Sequence, residues 1–131
     1  HNAREPIRMT ESELANKKEK ISQYKAAAME HLHYITGRNP MDICYITGVG
    51  EHSFSHPHNR PSSCDGIARA IPGQMSGGPC YPPLDETGMK MIPKDAAPMK
   101  CYVDDDRCYS LNEIAIYWNS SALFLTAFCD R

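Results

Sequence analysis

The stretch Tyr102-Val103-Asp104-Asp105-Asp106-Arg107-Cys108-Tyr109-Ser110-Leu111-Asn112-Glu113-Ile114-Ala115-Ile116-Tyr117-Trp118-Asn119-Ser120 carries most of what this 131-residue chain discloses about fold and chemistry. Its second half opens a helix expected from about Asn112 to Phe128. Ile114, Ile116, Trp118, Leu123, Leu125 and Phe128 spread apolar character nearly all round that helix, and such a helix is enclosed by protein. Its first half concentrates acidic, aromatic and amide side chains at the helix mouth, the residue types of a polar functional site.

Outward from this block, a first helix is expected over 11–36. Leu14, Ile21, Ala28 and Ile35 recur seven apart, with Tyr24 and Leu32 between them, as one apolar stripe. Thr10-x-x-Glu13 reads as a capping box and Gly37 as a left-handed stop. Lys17, Lys18, Lys20 and Lys25 form its solvated face. Between the two helices, residues 37–110 hold every proline except Pro6 and all eight glycines, with little helical or strand periodicity. A loop of that length counts against a self-sufficient compact domain and points to functional loops.

Fourteen basic against sixteen acidic residues leave a net charge of −2, so nothing electrostatic favours nucleic acid or an anionic membrane. No run reaches the roughly 18 apolar residues of a membrane span, and the first residues lack a signal-peptide core. Six cysteines permit fifteen complete pairings. Cys101 and Cys108 bracket the acidic run, and both a staple there and free thiols stay open.

The pattern Tyr102-x-Asp104-x4-Tyr109-x3-Glu113-x-Ala115-x3-Asn119-Ser120 resembles the carboxyl-terminal signature of glycoside hydrolase family 9, the inverting cellulases, with every fixed position filled. Tyr45-Ile46-Thr47-Gly48-Val49-Gly50 followed by Pro57-His58-Asn59-Arg60 is similar to the family's other signature, with Asn59 where a second His is usual. Gly77-Gly78-Pro79 and Gly37-Arg38-Asn39-Pro40 resemble its Gly-Gly-Pro loop and its usual helix exit. The resemblance runs from about Tyr24 to Phe128. It implies an all-α fold, the carboxyl-terminal portion of an (α/α)6 barrel with long irregular loops, a six-hairpin toroid that takes several hundred residues. Residues 1–131 are then expected to be a carboxyl-terminal fragment of one catalytic domain, with a helix over 11–36, active-site loops over 37–110 and a buried inner helix over 112–128. The implied activity is hydrolysis of β-1,4-glucosidic bonds in cellulose and related β-glucans with inversion. No cofactor is implied for the chemistry, and structural calcium is plausible on the acidic loop. The expected partners are a β-glucan or cello-oligosaccharide substrate and the remaining amino-terminal part of the domain, with secretion to the exterior, the cell surface or a cellulosome. A relative acting on glucosamine or mixed-linkage glucan is one alternative, and a non-catalytic carbohydrate-binding piece is another.

Glycosidic cleavage needs a proton delivered to the leaving oxygen and a second carboxylate to activate water. Glu113 aligns with the family's proton donor, and the resemblance places the water-activating aspartate in an upstream Asp-Ala-Gly-Asp segment that this chain lacks. The competing reading is that Ser110-x-x-Glu113 is a capping box; a helix amino terminus favours the ionised carboxylate, whereas an acid catalyst must carry its proton. Asp104 fills the signature's acidic position and is expected to orient sugar hydroxyls or neighbouring side chains, against calcium binding or plain solvation of the Asp104-Asp105-Asp106 run. His58 and Arg60 are implied to hydrogen-bond sugar hydroxyls, against a zinc site drawn from His52, His56, His58 and Cys44 or Cys64, whose spacings match no compact zinc pattern. Trp118 and Tyr109 offer flat faces for a pyranose ring, and packing is the alternative for both.

Overall fold

The computed structural model describes residues 9–130. Five α-helices occur among them: α1 at Glu11–Ile35, α2 at Arg60–Cys64, α3 at Glu86–Met91, α4 at Tyr109–Asn112 and α5 at Ile116–Cys129, with a 3-10 turn at Pro98–Lys100. Helix α1 begins as its sequence prescribes. The Glu13 amide donates to Thr10 Oγ1 at 3.2 Å and the Thr10 amide donates to the Glu13 carboxylate at 2.8 Å, closing the capping box. At its exit Gly37 adopts φ 130°. The Arg38 amide bonds to His33 O at 2.8 Å and the Gly37 amide to Tyr34 O at 3.4 Å, the paired bonds that close a helix over a glycine.

The apolar core lies between the long helices in sequence, not within them. Tyr45, Phe54, Ile92, Cys101, Tyr102, Cys108 and Leu111 form it, with Tyr34, Met41, Ile43 and Ile114 packed against it. Neither α1 nor α5 contributes a buried residue. The loop stretch is therefore more compact than its weak periodicity suggests, because side-chain amides and hydroxyls take the place of ladders. Asn39 accepts from the amides of Met41 and Ile43 at 3.0 and 3.4 Å and donates to the carbonyls of Tyr34 and Ile43 at 2.7 and 2.8 Å. Asn112, fully buried, accepts from the Tyr102 hydroxyl at 2.6 Å and donates to Val103 O at 2.7 Å and Asp105 O at 3.0 Å. Thr47 donates to Ile71 O at 2.7 Å and accepts from the Gln74 amide at 2.9 Å.

The second long helix departs from expectation twice. It starts at Ile116, not near Asn112, because Glu113 and Ile114 are held extended by backbone bridges to His58 and Ser76. It packs on α1 yet leaves Ile116, Leu123 and Phe124 at 89%, 72% and 74% exposure. The enclosure that its apolar surface calls for is not supplied by the described residues. All six cysteines are free thiols, so no staple joins Cys101 to Cys108.

Candidate active site

Three extended segments meet beside the first turn of α5. The His58 amide donates to Asn112 O at 2.8 Å, setting His58 and Glu113 as a parallel pair, and Ile114 pairs with Ser76 in the antiparallel sense. Paired residues of this kind lie about 5 Å apart. Asn119 locks the arrangement from α5: its Oδ1 accepts the Met75 amide at 2.9 Å and its Nδ2 donates to Met75 O at 3.3 Å and Ala115 O at 2.9 Å. The two motifs singled out in the sequence are thus joined backbone to backbone.

Glu113 is the residue that closes α4, with φ −61° and ψ 143°. Its side chain is exposed and has no hydrogen-bond or ion-pair partner among the described residues. The rival capping box is not formed. Ser110 Oγ donates instead to the Asp85 carboxylate and accepts the Leu84 amide at 3.2 Å, while α5 is preceded by Ala115, which makes no side-chain cap. A carboxyl group with no structural duty, on an extended residue whose backbone is itself bridged to His58, is available for chemistry.

His58 Nδ1 lies 2.5 Å from Asp106 O. A carbonyl only accepts, so Nδ1 carries the hydrogen and neutral His58 presents an unprotonated Nε2. Its ring stands 6.2 Å from that of Tyr109 at 59°. Asn59, the position that departs from the family motif, caps α2 by accepting the Ser62 amide at 3.3 Å. Arg60 therefore sits at the first helical position, exposed and without a partner among the described residues.

Asp104 is occupied. Its Oδ2 accepts the Ser55 amide and hydroxyl at 2.8 and 2.9 Å, its Oδ1 accepts the His56 amide at 2.8 Å, and His56 Nδ1 lies 3.2 Å from Oδ2. It organises the turn that delivers His58. Asp105 receives the Arg107 guanidinium at 2.9 and 2.5 Å, and that hydrogen-bonded cation holds its carboxyl down to about 2. Because these carboxylates face different partners, the acidic run does not fit a calcium ion. Among the described residues no three His, Cys, Asp or Glu side chains converge to hold a metal, zinc included.

Trp118 and Tyr109 divide the aromatic roles. A Cβ on Gly77 would come within 2.9 Å of the Trp118 indole, so Trp118 lies flush on the Gly-Gly-Pro loop and also packs edge-on against Tyr117 at 5.2 Å. Tyr109, 45% exposed, keeps its ring beside His58 and donates its hydroxyl to Leu84 O at 3.1 Å. Two supports, Asn112 and Asp85, were missed in the sequence. Asp85-x-x-Gly88 carries a helix-cap signal, whereas nothing local announces that Asp85 also reaches Ser110 across the chain.

The Glycosyl hydrolase family 9 profile matches residues 7–126. The chain belongs to glycosyl hydrolase family 9. It is 50% identical over 102 residues to a cellodextrinase of Butyrivibrio fibrisolvens, covering 78% of this chain and 19% of that protein. It is 35% identical to a cellulose 1,4-beta-cellobiosidase of Acetivibrio thermocellus, covering 84% and 13%. Among solved structures, the family 9 endoglucanase J30 superposes with a TM-score of 0.71 at 34% identity, over 82% of this chain and 20% of that one. AaCel9A in complex with a cellobiose-like isofagomine gives 0.69 at 36% identity, over 75% and 19%. The family 9 chain described here thus spans about a fifth or less of the length of these relatives. Those neighbours are (α/α)6 barrels, and the all-α architecture of this chain is a portion of that fold.

Proposed function

We propose that this chain contributes the proton donor and part of the sugar-binding wall to an inverting β-1,4-glucan hydrolase site. The observation that carries the reading is the backbone pairing of His58 with Glu113, which joins the two family signatures and leaves the Glu113 carboxyl free. Glu113 protonates the departing glycosidic oxygen. A carboxylate outside these 131 residues draws a proton from water on the opposite face of the sugar, the division of labour that inversion requires. The Arg60 guanidinium forks onto paired sugar hydroxyls, and His58 Nε2 accepts from another. Tyr109 offers its exposed ring to the apolar face of a pyranose. Asp104 serves by holding the Ser55–His56 turn, and Trp118 by seating the Gly77 loop. No cofactor enters these steps.

The likeness to a cellodextrinase favours cello-oligosaccharides as substrates. The remaining partner in this proposal is the rest of the catalytic domain, docked on the exposed apolar side of α5. Export to the exterior is proposed on the character of the substrate alone. Proton NMR of cellotetraose cleavage, in protein holding this chain together with the rest of a family 9 domain, tests the reading. The α-anomer appearing first at the new reducing end supports it, and first appearance of the β-anomer contradicts it. Binding of cellotetraose with no cleavage would instead favour a non-catalytic sugar-binding role.

A further inference from the structure

We propose that Asp85 is a positioning residue for Glu113, acting through Ser110 and α4; the inference rests on the proton-donor assignment above. Asp85 is 5% exposed. Its Oδ1 accepts the Gly88 amide at 2.6 Å, and its Oδ2 accepts the Ser110 amide at 3.1 Å as well as the Ser110 hydroxyl. Burial pushes its carboxyl up, and hydrogen bonds from Ser110, Gly88 and the Cys108 thiol more than reverse this, so the group is held ionised.

One carboxylate thus caps two helices. It is the N-cap of α3, and it satisfies the second amide of α4, whose own N-cap, Cys108, makes no side-chain cap bond. A four-residue helix has no stability of its own, so its direction is set by what holds its ends. At the start of α4 those holds are Asp85 and its neighbour Leu84, which gives its amide to Ser110 Oγ and accepts the Tyr109 hydroxyl. At the other end the Glu113 amide closes the turn on Tyr109 O at 3.1 Å. Asn112 anchors that end through its side chain and its carbonyl bond to the His58 amide, so a shift at the start of α4 reaches Glu113 as a turn of the helix about this anchor. The cradle has little slack: a Cβ on Gly88 would come within 2.9 Å of Pro83 Cβ and 3.1 Å of Asp85 Oδ1.

The test compares two leaving groups in catalytically competent protein containing this chain. Cellotetraose needs its leaving oxygen protonated; 2,4-dinitrophenyl β-cellobioside releases a stable phenolate and does not. Asp85→Asn keeps the volume but replaces one accepting oxygen with a donor that faces amide or hydroxyl hydrogens. Misplacing a reacting group by about 1 Å costs on the order of 10²-fold. The expected result is a kcat loss of about 10- to 100-fold on cellotetraose with KM nearly unchanged, and little loss on the dinitrophenyl substrate. Equal losses on both substrates, or none on either, overturn the inference. Ser110→Ala, which leaves the hydrogen bond from the residue-110 backbone amide to Asp85 intact, must show the same split in smaller degree; if Asp85→Asn folds poorly, this variant decides, and equal losses again overturn the proposal. Glu113→Gln run in parallel separates the two levels of the argument. If it shows the split and Asp85→Asn does not, the positioning role alone falls; if it lacks the split, the proton-donor assignment falls and takes this inference with it.

Discussion

Replacing Asn112 by Ala strikes the best-connected buried amide of the described chain. Its side chain is wholly inaccessible and bonds to the Tyr102 hydroxyl at 2.6 Å and to the carbonyls of Val103 and Asp105 at 2.7 and 3.0 Å. Each such bond contributes about 1 kcal/mol net, and a buried hydroxyl left without a partner costs about 1–3 kcal/mol. Tyr102, 6% exposed, would keep only the buried Ser76 hydroxyl beside it. The expected destabilisation is about 3–5 kcal/mol, a large part of the roughly 5–15 kcal/mol that stabilises a typical domain. Equilibrium urea unfolding reads it as a fall in midpoint at constant slope. Tyr102→Phe alone should cost about 1–2 kcal/mol, and the double variant should cost less than the sum of the single ones by about 1 kcal/mol, because both remove the same bond. A loss below about 1 kcal/mol for Asn112→Ala, or additivity within about 0.3 kcal/mol, would refute the claim that this amide holds the loops together.

Gly77→Ala would drive a Cβ to 2.9 Å from the indole of Trp118, the sole tryptophan of the sequence; a shift in emission maximum with a loss of about 1–3 kcal/mol is expected, and unchanged emission contradicts the packing role. Asp105, held to about 2 by Arg107, contributes stability that is present above the unfolded carboxyl value of about 3.9 and lost as pH falls from there toward 2. Arg107→Ala should return Asp105 to the ordinary range in a carboxyl-carbon NMR titration, and a titration still near 2 would assign the shift elsewhere. Alkylation at pH 8, followed by peptide mass mapping, should label exposed Cys64 well before Cys108, whose thiol is pushed up to about 12 by burial and by the nearby Asp85 and Asp105 charges. Equal labelling would mean that the core around α4 opens on the timescale of the reaction.

The parts legible in the sequence are those written in local code. The capping box at Thr10 and Glu13 and the glycine exit at Gly37 were read from spacing and residue type, and they have the structure those rules demand, whereas the enclosure expected of the apolar α5 is not found among the described residues. The start of α5 was misplaced because Ser110-x-x-Glu113 satisfies the local capping pattern, while the actual outcome is decided by His58 and Ser76, which are remote in sequence and compete for the same backbone. The same non-local competition gives Ser110 to Asp85. The acidic run reads as a cation site by composition alone, yet Asp104 turns toward Ser55 and His56, and Asp105 toward Arg107. The core of the loop segment was illegible for a related reason: it is organised by single amides such as Asn39 and Asn112 satisfying several backbone groups, which leaves no periodic trace.

The most direct test of the central claim is the Glu113→Gln variant, made in protein containing this chain together with the rest of a family 9 domain. Calorimetry would measure cellotetraose affinity alongside initial rates of hydrolysis. The account predicts unchanged affinity and fold with turnover reduced by about 10²- to 10⁴-fold, the range that a positioned general acid contributes. Turnover close to that of the parent protein would show that the proton comes from another group.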